Sequence, residues 1–326
     1  MEPDPFIRGQ AWPGTPKVPH PRAKPSDAFR LPVDTWAQAQ IPVGVRLELV
    51  GDATEVRIAY ETRGKDAGIR GDAGTTFQVW RGGEPVDEEK AEHPEGVARL
   101  RMGDSAPDVA AIVYIPEGMR PAIRDITATD GSIEPAPLQP RWLCYGDSVA
   151  EGWLATKPAY AWPAIAGREQ GLDAFNLGYA GSARGEIVSA EHLSELDAAV
   201  ISITHGTNCW NRIPHSAGMM REITDAFLKI VRQGHPETPI LVASPIVRPD
   251  AESEPNRLGA TLPDLREGMR EAVAARIDAG DALLRFVDGL PVVAESQLAD
   301  GIHPNDDGQH AIAAALGPIV KEMAGR

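Results

Sequence analysis

The chain has little cysteine, no long apolar run and no excess of positive charge, and each shortage removes a class of function. Cys144 and Cys209 are the only cysteines among 326 residues, too few for a disulfide framework and in no metal-ligand spacing. No stretch reaches the ~18 apolar residues of a membrane-spanning helix. The first 27 residues lack the basic start and apolar core of an export signal, so the sequence reads as cytoplasmic. Acidic residues outnumber basic ones 47 to 32, giving a formal net charge of −15. That balance disfavours nucleic acid and anionic membranes, since both need a basic face. The glycines at Gly178, Gly181 and Gly301 have the spacing of neither a dinucleotide fingerprint nor a P-loop. No metal and no cofactor are expected.

What remains divides by texture. Residues 1–27 are rich in proline and poor in periodic apolar positions, and are expected to wrap over another surface or stay mobile. From 28 to 132 short runs alternate apolar and polar, as in Val45–Leu49, Val56–Tyr60, Phe77–Trp80 and Val97–Met102. A period of two broken by turn residues predicts antiparallel strands with one face buried, here a small β-sandwich without a convincing helix. Residues 133–140, IEPAPLQP, read as a proline-rich linker.

From 141 to 326 the rhythm changes to strand, helix, strand, helix. Strands are predicted at Trp142–Tyr145, Ala174–Leu177, Ala199–Thr204, Ile240–Ala243 and Leu284–Val287. Helices are predicted at Trp162–Gln170, near Ala190–Leu196, and over Met219–Gln233, Leu262–Ala279 and Asp306–Glu322. The third helix carries its apolar stripe on Ile223, Phe227, Ile230 and Val231. Five strands joined by helical crossovers predict an α/β fold, a three-layer, doubly wound parallel sheet. Ligands of such sheets sit at the carboxyl ends of the strands.

The polar residues therefore matter most where each strand ends. Ser148 follows the first strand, Gly181 the second and Asn208 the third, while Asp300 and His303 lie beyond the fifth. Acyl transfer needs this set. Ser148 would attack a carbonyl, His303 would take its proton, and Asp300 would orient and stabilise the imidazolium. The N–H groups of Ser148 and Gly181 and the amide of Asn208 would form the oxyanion hole. Asp147 is expected to pin the turn. Trp153, His205 and Trp210 fall near the site and are weaker candidates for binding substrate; each is also readable as a packing residue. His205, Cys209 and His215 match no zinc pattern.

In that order, Gly146-Asp147-Ser148, Gly181, Gly206-Thr207-Asn208 and Asp300-Gly301-Ile302-His303 resemble the four blocks of the SGNH (GDSL-type) serine esterases and lipases. The resemblance spans Trp142–Pro318 and implies a flavodoxin-like hydrolase sheet. More narrowly, the chain is similar to bacterial two-domain members with a jelly-roll β-sandwich before the hydrolase, some of which remove acetyl groups from carbohydrates. It departs from many relatives by placing Cys209, not Asp, after the third-block Asn, which leaves the shape of the pocket open. The implied function is a serine ester hydrolase, a carboxylesterase or O-acetylesterase, that cleaves short acyl esters of a carbohydrate or other small polyol. Acyl transfer by the same residues, and carbohydrate binding without turnover, are the alternatives.

Overall fold

The computed structural model describes residues 1–64 and 74–325. They form two units, each with its own core. One comprises residues 1–22, 40–139 and 156–159; the other comprises 23–39, 140–155 and 160–326.

The first unit is built from strands β1 (Ile7–Arg8), β2 (Arg46–Gly51), β3 (Glu55–Glu61), β4 (Thr76–Arg81), β5 (Glu84–Lys90), β6 (Glu95–Arg101), β7 (Ala111–Tyr114), β8 (Ala122–Thr129) and β9 (Ile133–Pro135). They make two antiparallel sheets. One has the order β1-β2-β7-β4-β5, with β9 also paired to β2; the other has the order β6-β3-β8. Alternate residues point to opposite faces of a strand. Val56, Ile58 and Tyr60 of β3 accordingly turn inward to meet Leu47, Leu49, Phe77, Val79 and Val113 in one apolar core.

Residues 1–22 follow the first of their two expected readings, packing over another surface, whereas 133–135 depart from the linker reading. The N-terminal segment is anchored: Phe6 is in the core, Ile7–Arg8 is an edge strand, and the N-terminal amine donates to Asp125 and to the Ile126 carbonyl. Residues 133–135, read as part of a linker, pair with β2, and Ile133 reaches the same core.

In the second unit, β10 (Arg141–Gly146), β11 (Asp173–Gly178), β12 (Val200–Thr204), β13 (Ile240–Ala243) and β14 (Leu284–Val287) form one parallel sheet in the order β11-β10-β12-β13-β14. The helices are α1 (Val33–Ala39), α2 (Ser148–Glu151), α3 (Trp162–Gln170), α4 (Ile187–Glu195), α5 (Asn208–Asn211), α6 (Ala217–Gly234), α7 (Pro249–Glu252), α8 (Leu262–Asp278) and α9 (Asp306–Ala324). β10 shows why both faces of the sheet are covered. Trp142 and Cys144 point into a core with Trp162 and Ile165 of α3 and Leu316 and Val320 of α9. Tyr145, of opposite parity, stacks on Phe227 of α6 at 4.8 Å. The buried stripe of α6 is Met220, Thr224, Phe227, Leu228 and Val231. This lies about one residue round from the stripe predicted on Ile223 and Ile230, because both helix flanks are partly covered. Helix α1, unforeseen in the sequence, belongs to this unit.

Candidate active site

Ser148, Gly181, Asn208 and His303 meet at the carboxyl edge of the parallel sheet, with Asp300 behind His303. Strand β10 runs into Gly146, where a Cβ would stand 2.6 Å from the Thr204 carbonyl oxygen and 2.5 Å from the Ala150 Cβ. Only glycine lets the chain turn so tightly against β12. Asp147 then caps α2, accepting from the Val149 N–H at 3.0 Å and from the Thr207 N–H at 3.2 Å. Ser148 follows as the first residue of α2.

The Ser148 Oγ lies 2.9 Å from Nε2 of His303, and Nδ1 of His303 lies 2.8 Å from Oδ2 of Asp300. The loop holding both partners is locally determined. Asp300 Oδ1 accepts from the N–H groups of Ile302 at 3.0 Å and His303 at 2.8 Å, a side-chain turn that three residues suffice to close. Asn305 then caps α9 by accepting from the Gly308 N–H. Partial burial raises the carboxyl pKa of Asp300, but the hydrogen bonds from the His303 ring and the two N–H groups outweigh it. The net is a carboxyl below its usual range, suited to facing an imidazolium.

Gly181 and Asn208 approach from the next two loops. Gly181 has φ +68°, a conformation that favours glycine. The Asn208 amide donates to the Ser182 carbonyl, which orients it and leaves its second N–H available. Two acidic side chains flanking Ser148 clamp these loops. Asp147 holds the Thr207 N–H, and the buried Glu151 accepts from the Ala180 N–H at 2.9 Å. Burial pushes the Asp147 carboxyl up to about 6, against the pull of the N–H groups it accepts.

Ser148, Gly181, Asn208, His303 and Trp153 share a cleft of ≈ 450 Å³. Trp153 lies on the cleft lining, with its ring 6.2 Å from the His303 ring. His205 and Trp210 are not on the lining. His205 is buried against Tyr145 and Phe227, and that burial lowers its pKa to about 3. The Trp210 indole donates to the Glu254 carbonyl, and the Arg248 guanidinium lies on its ring. Both expectations rested on chain proximity to Asn208, and packing turns the two rings elsewhere.

The sequence reading missed Asp34 and Gln38 from α1, Arg212 just after Asn208, and Arg248, all on the cleft wall. Arg212 had a signal, its place one helical turn beyond Asn208. Asp34 had none, because its partners are distant in the chain. Both cysteines are buried and reduced. Among the described residues no group of three or more His, Cys, Asp or Glu is placed to hold a metal ion. No described helix is long and apolar enough to cross a membrane.

A doubly wound sheet with a serine, an imidazole and a carboxylate in hydrogen-bonding sequence at its carboxyl edge defines an enzyme of the acylhydrolase class. More particularly, the chain belongs to the GDSL-like lipase/acylhydrolase family, whose profile matches residues 140–321. Among solved structures it is similar to a salicylyl-acyltransferase from a tetracycline biosynthetic pathway, at 24% identity and TM-score 0.80, over 95% of this chain and 94% of that one. A GDSL-like protein from Bacteroides ovatus gives 19% identity and TM-score 0.79, over 98% and 96%. A family two carbohydrate esterase from Clostridium thermocellum, in complex with cellohexaose, gives 17% and 0.65, over 86% and 92%. No curated protein matches the sequence.

Proposed function

We propose that the protein is a cofactor-independent serine esterase that removes short acyl groups from a small hydroxylated molecule, with Ser148 as nucleophile. The observation that carries this reading is the run of contacts from Ser148 Oγ through His303 to Asp300, 2.9 and 2.8 Å long. Ser148 Oγ bonds to the acyl carbon as its proton passes to Nε2 of His303. The carbonyl oxygen becomes an oxyanion facing the N–H groups of Ser148 and Gly181 and the Asn208 amide. The carbon–oxygen bond to the alcohol then breaks, and His303 returns the proton to that alcohol. Water repeats the sequence on acyl-Ser148, giving the free acid and regenerating the hydroxyl. Asp300 stays ionised and holds the imidazole throughout.

A cleft of ≈ 450 Å³ with one tryptophan wall suits a small ester. An acylated carbohydrate is the substrate we favour, in keeping with the carbohydrate esterase that shares this fold. Transfer to an alcohol in place of water uses the same residues, and an acyltransferase of the same fold favours keeping that reading.

Two assays test the proposal. The protein is expected to hydrolyse p-nitrophenyl acetate and to be labelled by a fluorophosphonate at Ser148. Ser148→Ala is expected to lose on the order of 10³-fold or more in kcat. Labelling elsewhere, or an active Ser148→Ala variant, would remove the reading. Adding an alcohol acceptor and finding ester product in excess of acid would favour transfer.

A further inference from the structure

Three charged side chains, Asp34, Arg212 and Arg248, line the cleft, and two of them are already spent. Asp34 takes Nη2 of Arg184 on both carboxylate oxygens, at 3.2 and 3.0 Å. Arg248 is bidentate to Asp250 at 2.8 and 3.0 Å and lies flat on Trp210, 4.7 Å from the ring centre. Arg212 has no carboxylate partner among the described residues.

Its position is as particular as its charge. A Cβ on Gly181 would stand 3.1 Å from the Cζ of Arg212 and 3.2 Å from one of its terminal nitrogens. The guanidinium therefore covers the Cα of the glycine whose N–H we assign to the oxyanion hole. It stands at the point where a side chain would leave that glycine, on the solvent-exposed rim of the cleft. The chain carries fifteen more acidic than basic residues, so an arginine facing its cleft without a carboxylate needs a reason. A planar fork of donors beside a reacting carbonyl matches a second carboxylate or similar anion presented by the substrate.

We infer that Arg212 makes the cleft selective for esters that carry an anionic group, a carboxylate in the simplest case, close to the scissile carbonyl. This rests on the esterase reading and narrows its substrate class from small esters in general to acidic ones. The anion belongs either to the acyl group or to the alcohol, and Arg212 is the specificity-determining residue in both cases.

The test compares anionic and neutral esters of matched shape on the full-length protein. Mono-p-nitrophenyl glutarate against its methyl ester places the charge on the acyl side. 4-Carboxyphenyl acetate against 4-carbamoylphenyl acetate places it on the alcohol side. In at least one pair kcat/KM is expected to favour the anion by about tenfold or more. In Arg212→Gln that ratio is expected to fall to near one, and Arg212→Lys, with charge but no fork, to keep part of it. A wild-type ratio at or below one in both pairs would overturn the inference. So would an unchanged ratio in Arg212→Gln, which would mean that the residue serves all esters alike. Fluorophosphonate labelling at Ser148 in the same samples separates the two claims. If labelling holds and discrimination fails, only the assignment of Arg212 falls; if labelling fails, the esterase reading falls.

Discussion

Asp147 stands next to Ser148, the nucleophile we propose, with one oxygen holding its own helix and the other holding the loop before Asn208. Burial nonetheless lifts its carboxyl from 3.8 to about 6. The folded state thus keeps a proton between roughly pH 4 and 6 that the unfolded chain has lost. Stability must then fall as pH rises through that window, the reverse of an ion-paired carboxylate. Asp147→Asn has no such titration, but it places an amide N–H against Thr207 or Val149 and loses one acceptor, at about 1–3 kcal/mol. The melting-temperature deficit of the variant is therefore expected to be larger near pH 4 than near pH 7.5. Thermal melts of both proteins across that range check it; a deficit constant with pH would show that Asp147 is not the buried acid described. Residues of this kind explain part of what the sequence conveyed. Ser148, Asp300 and His303 were legible because each follows a strand end or shares a three-residue turn. For His205 and Trp210 the sequence left binding and packing both open, because proximity along the chain does not fix which way a ring packs.

Helix α2 is a single turn, yet it ties together three loops that approach from different strands. Glu151 at its end is buried and accepts the Ala180 N–H, one residue before Gly181. Glu151→Ala would leave that N–H without its acceptor and free the Gly181 loop to shift. A catalytic donor moved by 1 Å costs far more than its hydrogen bond, since the oxyanion forms only in the transition state. We expect kcat to fall by about 10- to 100-fold with little change in KM, and Glu151→Gln, which retains an acceptor, to recover most of it. Steady-state kinetics on the three proteins decide this; equal losses in Gln and Ala would assign Glu151 to charge and not to loop position. The elements that were legible share one property, an apolar face read by the core. Strand β10 announces itself through a continuous buried run and helix α6 through buried positions at a period near 3.6. Strand β5, Glu84–Lys90, has no buried residue and is held by its backbone pairing to β4, so its sequence, EPVDEEK, shows no strand pattern. Helix α1 is short and contributes only Thr35 and Ala39 to buried surface, too few to mark a period.

At the scale of the whole molecule, the catalytic unit is not one continuous stretch of chain. Residues 23–39 belong to it, although they precede residues 40–139 of the β unit and lie outside the family match at 140–321. Ion pairs staple that segment in place. Lys24 pairs with Glu195 and Arg30 with Glu191, while Asp27 is hydrogen-bonded to His192, an imidazole whose pKa is lowered by burial; all three partners lie on α4. Surface pairs of this kind contribute little individually, about 0–1 kcal/mol each. The pair at the end of the segment differs, because the Arg184 side chain is only 6% exposed and Asp34 supplies its carboxylate. Arg184 also donates to the Gly181 carbonyl at 3.2 Å. A residue 147 positions before Gly181 therefore helps to fix the glycine we place in the oxyanion hole. Asp34→Ala is expected to cost about 1–3 kcal/mol of stability, moderated by the nearby Glu186, and to lower kcat by about tenfold. A chain limited to residues 140–326 loses Asp34 together with the rest of the segment, and its melting temperature and kcat/KM are expected to fall at least as far as in the point variant. Melting and kinetics of the two proteins beside the full chain measure it. A fragment as stable and active as the whole would show that the cleft is built from the family-matched sequence alone, and that residues 23–39 merely rest against it.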